Sequence, residues 1–176
     1  MKASKPQITR MKNTIWLLVL CCVMAACAKA PLTNTSEAPS IKSTDVVKAT
    51  PQPVTLAAGE SGDALVSIQI AKGYHVNANP PTFSYLKATE LEITPSNGVA
   101  VEFMTYPDAL TKKFPFAEKP LAVYEGETTL RARLKADKSA KSGSHNLSAK
   151  LRVQACDDNV CYAPGALDVS IPVNIK

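Results

Sequence analysis

Apolar and polar residues alternate with a period of two along most of the chain beyond Val54, and that pattern leaves room for little except β-structure. Val66, Ile68 and Ile70 alternate with Ser67 and Gln69, and Leu91 and Ile93 with Glu90, Glu92 and Thr94. Val99, Val101 and Phe103 alternate with Ala100 and Glu102, and Leu130, Ala132 and Leu134 with Thr129, Arg131 and Arg133. Leu147 to Val153 and Leu167 to Ile175 repeat the pattern. In a strand, successive side chains point to opposite faces, so each run offers one face to a core and one to water. Turn-forming segments separate the runs: Gly59 to Asp63, Pro95-Ser96-Asn97-Gly98, Glu125-Gly126 and Lys141-Ser142-Gly143. No stretch carries a helical stripe. The expectation is an all-β domain of about seven to nine short strands, arranged as a two-sheet antiparallel sandwich, with a closed barrel as the alternative. Pro172 has no N–H to donate, which predicts that the last strand lies at an edge. Tyr106 to Pro120 breaks the rhythm with three prolines and three aromatics and is expected to be a long functional loop.

The N-terminus has a different character. Lys2, Lys5, Arg10 and Lys12 precede an uncharged run from Ile15 to Ala28, which has the length of a signal-peptide core and is short for a membrane span. Met11 would serve equally well as a signal start. The run contains Val23-Met24-Ala25-Ala26-Cys27, which resembles a bacterial lipobox. The resemblance implies cleavage after residue 26 and acylation of Cys27, anchoring the protein to a membrane; Ala28 rather than aspartate after the cysteine favours the outer membrane. Residues 27–53, rich in Ala, Pro, Ser, Thr and Lys, are expected to form a tether, with the domain occupying 54–176.

Loss of the signal removes four of the 20 basic residues and none of the 15 acidic ones, so the mature protein is nearly neutral. That balance gives no electrostatic footprint for nucleic acid. No phosphate loop, nucleophile elbow or cofactor motif appears, so no cofactor is expected. His75 and His145 lack ligand spacing, and no metal is expected.

Of five cysteines, Cys21 and Cys22 leave with the signal and Cys27 carries lipid. Cys156 and Cys161 remain, in an exported and disulfide-permissive compartment. Four intervening residues let their Cα atoms return to the ~5.5–6 Å typical of a disulfide. So small a loop removes on the order of 2 kcal/mol of unfolded-state entropy, less than a bridge closing a long loop. The pair therefore reads as placed where a partner can reach it, Cys161 as the more exposed sulfur and Cys156 as strand-anchored. An inert hairpin staple is the alternative. Asp157 and Asp158 adjoin Cys156, and no Lys, Arg or His lies within the loop, which disfavours a strongly activated thiolate. Arg152 would offset this only if turned toward the loop.

The segment Gln154-Ala155-Cys156-Asp157-Asp158-Asn159-Val160-Cys161-Tyr162-Ala163-Pro164 resembles the cysteine segment of the N-terminal periplasmic domains of the DsbD thiol:disulfide interchange family. Gly73-Tyr74-His75 resembles that family's Gly-Tyr segment, although a second family tyrosine is replaced by Val76 or Asn77. The cysteines are separated by four residues where the best-known member has five. The resemblance spans residues 54–176 and implies an immunoglobulin-like fold and a redox-active Cys156–Cys161 pair. It also implies a cap loop, with Asp108 as its acidic residue and Phe114 or Phe116 as the shielding aromatic, and Tyr74, Asp157, Asp158 and Tyr162 beside the site. The implied partners are a thioredoxin-like redox protein and oxidised periplasmic proteins. The sequence contains neither a transmembrane electron carrier nor a Cys-x-x-Cys domain, so a relay would depend on other chains. The expected activity is thiol–disulfide exchange, as a component of protein-disulfide reduction. The alternatives are an envelope binding or assembly module with a structural disulfide, and a purely structural envelope lipoprotein.

Overall fold

The computed structural model describes residues 40–176; the expected signal segment, Cys27 and the first part of the tether lie outside the described residues. A 3-10 turn, Ser43–Val46, leads into twelve strands. These are β1 (Val47–Pro51), β2 (Val54–Leu56), β3 (Ser61–Ile70), β4 (His75–Asn77), β5 (Glu90–Ile93) and β6 (Val99–Thr105). They continue with β7 (Leu110–Lys112), β8 (Leu121–Tyr124), β9 (Glu127–Ala136), β10 (Gly143–Val153), β11 (Ala155–Cys156) and β12 (Gly165–Ile175).

Two four-stranded sheets, ordered β1-β3-β9-β6 and β2-β12-β10-β5, form an immunoglobulin-like sandwich. A third sheet, ordered β11-β4-β8-β7, adds a short-stranded layer. The alternating runs supply the sandwich core directly. Ala64, Val66, Ile68 and Ile70 of β3 and Leu130, Ala132, Leu134 and Ala136 of β9 face Leu147, Leu151 and Val153 of β10 and Ile171, Val173 and Ile175 of β12 in one buried cluster. Each of the Val, Leu and Ile side chains contributes about 1.5–3 kcal/mol when fully buried, and each alanine methyl less. The third sheet has its own smaller cluster of Phe114, Leu121 and Val123, with Phe83, Leu86 and Ala117 packed against it.

Four expectations change. The domain begins before Val54: Ser43–Val46 and β1 belong to it, because β1 pairs with β3 from Val47↔Ile70 to Pro51↔Val66 and buries Val46 and Val47. The last strand is not an edge. β12 pairs antiparallel with β10 along its whole length and parallel with β2. The β2 ladder starts only at Val173, so Pro172 lies just outside it. Phe103 does not face the core. A register shift between Val101 and Phe103 turns β6 by one residue, leaving Phe103 57% exposed and packing Met104 against the core instead. Finally, Tyr106 to Pro120 is not all loop: it contains β7, paired with β8 from Leu110↔Val123 to Lys112↔Leu121.

Candidate functional site

The cysteines close a tight hairpin between β10 and β12. Cys156 and Cys161 are joined by a disulfide and face each other as an antiparallel bridge. The Tyr162 N–H donates to the Ala155 carbonyl at 2.8 Å, and the Asp157 N–H to the Val160 carbonyl at 3.0 Å. The cysteines thus sit between hydrogen-bonded pairs, where opposing backbones come closest. Their Cα atoms are 3.9 Å apart, closer than the sequence suggested.

Asp157 organises the turn. Its carboxylate accepts from the N–H groups of Asn159 (2.7 Å) and Val160 (2.8 Å) and from the Tyr162 hydroxyl (2.6 Å). The Tyr162 bond, and then the two amides, hold its pKa below the usual aspartate range. The same bond pushes the Tyr162 phenol up to about 12. Tyr74 packs beside Tyr162, with ring centroids 6.1 Å apart. Asp158 is exposed and lies 3.9 Å from Lys112.

The base of the hairpin is pinned from outside. The Ser43 hydroxyl accepts from the Ala155 N–H at 2.9 Å and donates to the Ala163 carbonyl at 2.6 Å, so one buried side chain ties the strands on both sides of the disulfide. Gly165 permits this approach, since a Cβ there would lie 2.7 Å from Thr44 Cγ2. Gln154 accepts from the Lys87 N–H and Asn77 Nδ2 and donates to the Tyr162 carbonyl.

The two sulfurs have different surroundings. Cys156, in β11, is fully buried, whereas Cys161 is partly exposed. Cys161 lines an open apolar hollow with Tyr85, Leu86, Phe116, Leu121 and Val160. Tyr85, Val160 and Phe116 are 72%, 50% and 40% exposed, an unusual amount of apolar surface around one sulfur. The two aromatics expected to shield the pair occupy different places. Phe116 stands at the surface beside Cys161, while Phe114 is buried beneath it, with centroids 5.4 Å apart. Asp108 lies exposed between β6 and β7 and acts electrostatically on the Tyr124 hydroxyl; it does not line the hollow.

Sequence reasoning missed His75 and Lys112. β4 sets His75 directly opposite Cys156. The imidazole is 1% exposed and stacks on Phe114 with centroids 4.1 Å apart. Burial, then the nearby Lys112 charge, lowers its pKa below the usual histidine value, partly offset by Glu125, Asp158 and Asp157. Lys112 pairs with Glu125, and its Nζ lies 5.4 Å from the Phe114 centroid. The positive charge absent from the cysteine loop therefore arrives from β7. Arg152 does not supply it, because its guanidinium is bonded to Glu92 at 3.0 Å. The available signal for His75 was its place beside Tyr74 in the Gly-Tyr-His segment. Among the described residues, no group of three His, Cys, Asp or Glu side chains could hold a metal ion.

The sequence family described as thiol:disulfide interchange protein DsbD, N-terminal, matches residues 43–171. No curated protein sequence matches the chain. The crystal structure of the N-terminal periplasmic domain of ScsB from Proteus mirabilis superposes with a TM-score of 0.52 at 19% identity, over 77% of this chain and 49% of that one. This chain thus spans about half the length of that structure, and the likeness is one of fold. The reduced DsbD N-terminal domain of Neisseria meningitidis gives a TM-score of 0.44 at 19% identity, over 66% of this chain and 82% of that one.

Proposed function

The chain belongs to the family of DsbD N-terminal domains, and from that premise we propose that it is a periplasmic thiol–disulfide exchange domain working through Cys156 and Cys161. It relays reducing equivalents from a thioredoxin-like partner to oxidised envelope proteins. The observation that carries this reading is the asymmetry of the disulfide: one sulfur is sealed in β11 and the other opens onto an exposed apolar hollow. Exchange requires in-line access of a thiolate to one sulfur, and exposed apolar surface around that sulfur suits the docking of a protein partner. The incoming thiolate attacks Cys161, and Phe116 gates the approach.

The deciding measurement is the reduction potential of the pair, by equilibration against a glutathione or dithiothreitol series with thiol trapping. A value above about −250 mV, in the range of exchange proteins, is expected. A value below about −300 mV marks a structural staple and overturns the reading in favour of an envelope binding or assembly module. In a Cys156→Ser variant, Cys161 remains free to trap a partner as a mixed disulfide. Anchoring through Cys27 to the outer membrane is proposed from the lipobox resemblance. Loss of incorporated labelled palmitate in Cys27→Ser, and its presence in the wild type, tests it.

A further inference from the structure

We infer that His75 stabilises the Cys156 thiolate released when the disulfide opens, and thereby sets the reactivity of the pair. The inference rests on the exchange reading and adds the residue that governs it.

Three observations converge. The first is register. Cys156 opposes His75 across β4 and β11, and Cys161 opposes Cys156 in the hairpin. Directly opposed residues of antiparallel strands share a face with their Cβ atoms about 4.5–5.5 Å apart. His75 on β4, Cys156 on β11 and Cys161 at its bridge therefore share one face in a single row. The second is an unmet bond. His75 Nε2 is buried without a hydrogen-bond partner among the described residues. Such a group ordinarily costs stability, and sites that retain one often use it. The third is need. Cys156 is fully buried, so a thiolate there is opposed by desolvation, and the acidic Asp157 and Asp158 beside it add repulsion.

The charged groups acting on His75 come from several elements. Lys112 stands on β7, Glu125 follows β8, and Asp157 and Asp158 lie in the turn. Lys112 is already engaged by Glu125 and Asp158. That leaves the imidazole as the polar group placed to answer a new charge on Cys156. Burial and Lys112 keep it neutral while the disulfide is intact.

The step balances as follows. A thiolate of the partner dithiol attacks Cys161 Sγ, forming a mixed disulfide. The Cys156–Cys161 bond breaks, and its electron pair stays on Cys156 Sγ, where the imidazole meets the charge. The partner's second thiolate then attacks its own sulfur in the mixed disulfide and releases Cys161. Two electrons pass from the dithiol to the pair, and the two protons lost by the partner's thiols end on Cys156 and Cys161. Phe114 links this row to the surface, since it stacks between His75 and Phe116.

The test uses the whole chain in two redox states. In wild-type protein, NMR titration of the His75 ring is expected to show a higher pKa after reduction; identical titration in both states overturns the inference. His75→Phe keeps a ring against Phe114 and removes both nitrogens. It is expected to raise the Cys156 thiol pKa by about one unit and to slow reduction by dithiothreitol roughly threefold to fivefold, because the leaving sulfur carries only part of its charge in the transition state. His75→Gln keeps an N–H donor and is expected to retain most of the rate. Wild-type reactivity in both variants overturns the inference. A reduction potential in the staple range defeats the exchange reading itself. A potential in the exchange range with unchanged His75 titration defeats only the role of His75.

Discussion

The sandwich and the third sheet are built by different rules. Between the two large sheets the core is apolar from β3 to β12. The buried polar residues among those described are Ser43, His75, Asn77 and Thr89. All four belong to the third sheet or the segments bound to it. Ser43 ties the cysteine hairpin, His75 faces Cys156, and Asn77 and Thr89 bond to each other, with Asn77 also reaching Lys87 and Gln154. The sandwich gets its stability from non-directional burial of a cluster that is almost wholly aliphatic. The third sheet gives up some of that burial to fix the positions of a few side chains. One region holds the molecule together, and the other holds two sulfurs in a defined setting.

The strongest way to break this comparison is to damage the sandwich alone. Leu134→Ala removes a fully buried side chain from the core face of β9. It is expected to cost about 2–5 kcal/mol in denaturant unfolding, while leaving the reduction potential unchanged. A shift in potential together with stability would show that the regions are energetically one. A smaller effect with the opposite signature is expected from Ser43→Ala. It leaves the buried Ala155 N–H without its acceptor, for a loss of about 1–3 kcal/mol. Because the same hydroxyl bonds Ala163, hydrogen exchange should accelerate first around Cys156 and Cys161. Uniform acceleration across the sandwich would argue against a separate role for the third sheet.

The difference also explains what could be read from the sequence. Ten- and eleven-residue strands such as β3, β10 and β12 leave a clear alternation, because one face meets the core and the other meets water. The irregularity in β6 is where that reading failed: one extra residue turned Phe103 outward, and alternation carries no warning of a bulge. Strands of two to four residues, such as β4, β7 and β11, are too short for a period to register. The cysteine pair was legible as a local motif. His75 and Lys112 were not, because they reach it only through pairings between distant segments. Their proximity is a property of the topology and has no local spacing to reveal it.

Acid stability separates the regions further. Burial lowers the pKa of His75 below its unfolded value of 6.5, so the unfolded chain binds the proton more readily. Stability from this group is complete above about pH 6.5 and falls as the pH drops toward the folded pKa. Asp157 runs the same way in a lower window. Its pKa is depressed from 3.8, so its contribution is present above that value and is lost as the pH falls through the folded pKa. Denaturant midpoints measured from pH 8 to 3 should therefore fall mainly in the His75 stage, with only a slight further loss at the lower end, because the bonds to Asp157 lie at the surface. His75→Phe should abolish the upper stage and leave the lower one. A wild-type profile flat between pH 7 and 5 would contradict the burial of a neutral imidazole.

The smallest expected effect is spectroscopic and concerns the turn alone. Tyr162 donates to Asp157, whose negative charge makes loss of the phenol proton costly, and its pKa stands at about 12. Asp157→Asn removes the charge and, with its one oxygen kept for the two amides, leaves the Tyr162 hydroxyl facing an NH2 group that cannot accept its proton. The phenol should then move down toward the ordinary 10.0 in an absorbance titration of the tyrosines. Global stability should hardly change, because the bond lies at the surface and the sandwich does not depend on it. The two amides that Asp157 satisfies retain an acceptor in asparagine, so the turn itself should persist. If the phenol shifts while the midpoint stays fixed, the cysteine turn is an electrostatic unit carried by the sandwich. If unfolding changes as much as the titration does, the turn is part of what holds the domain closed, and the division between the two regions is lost.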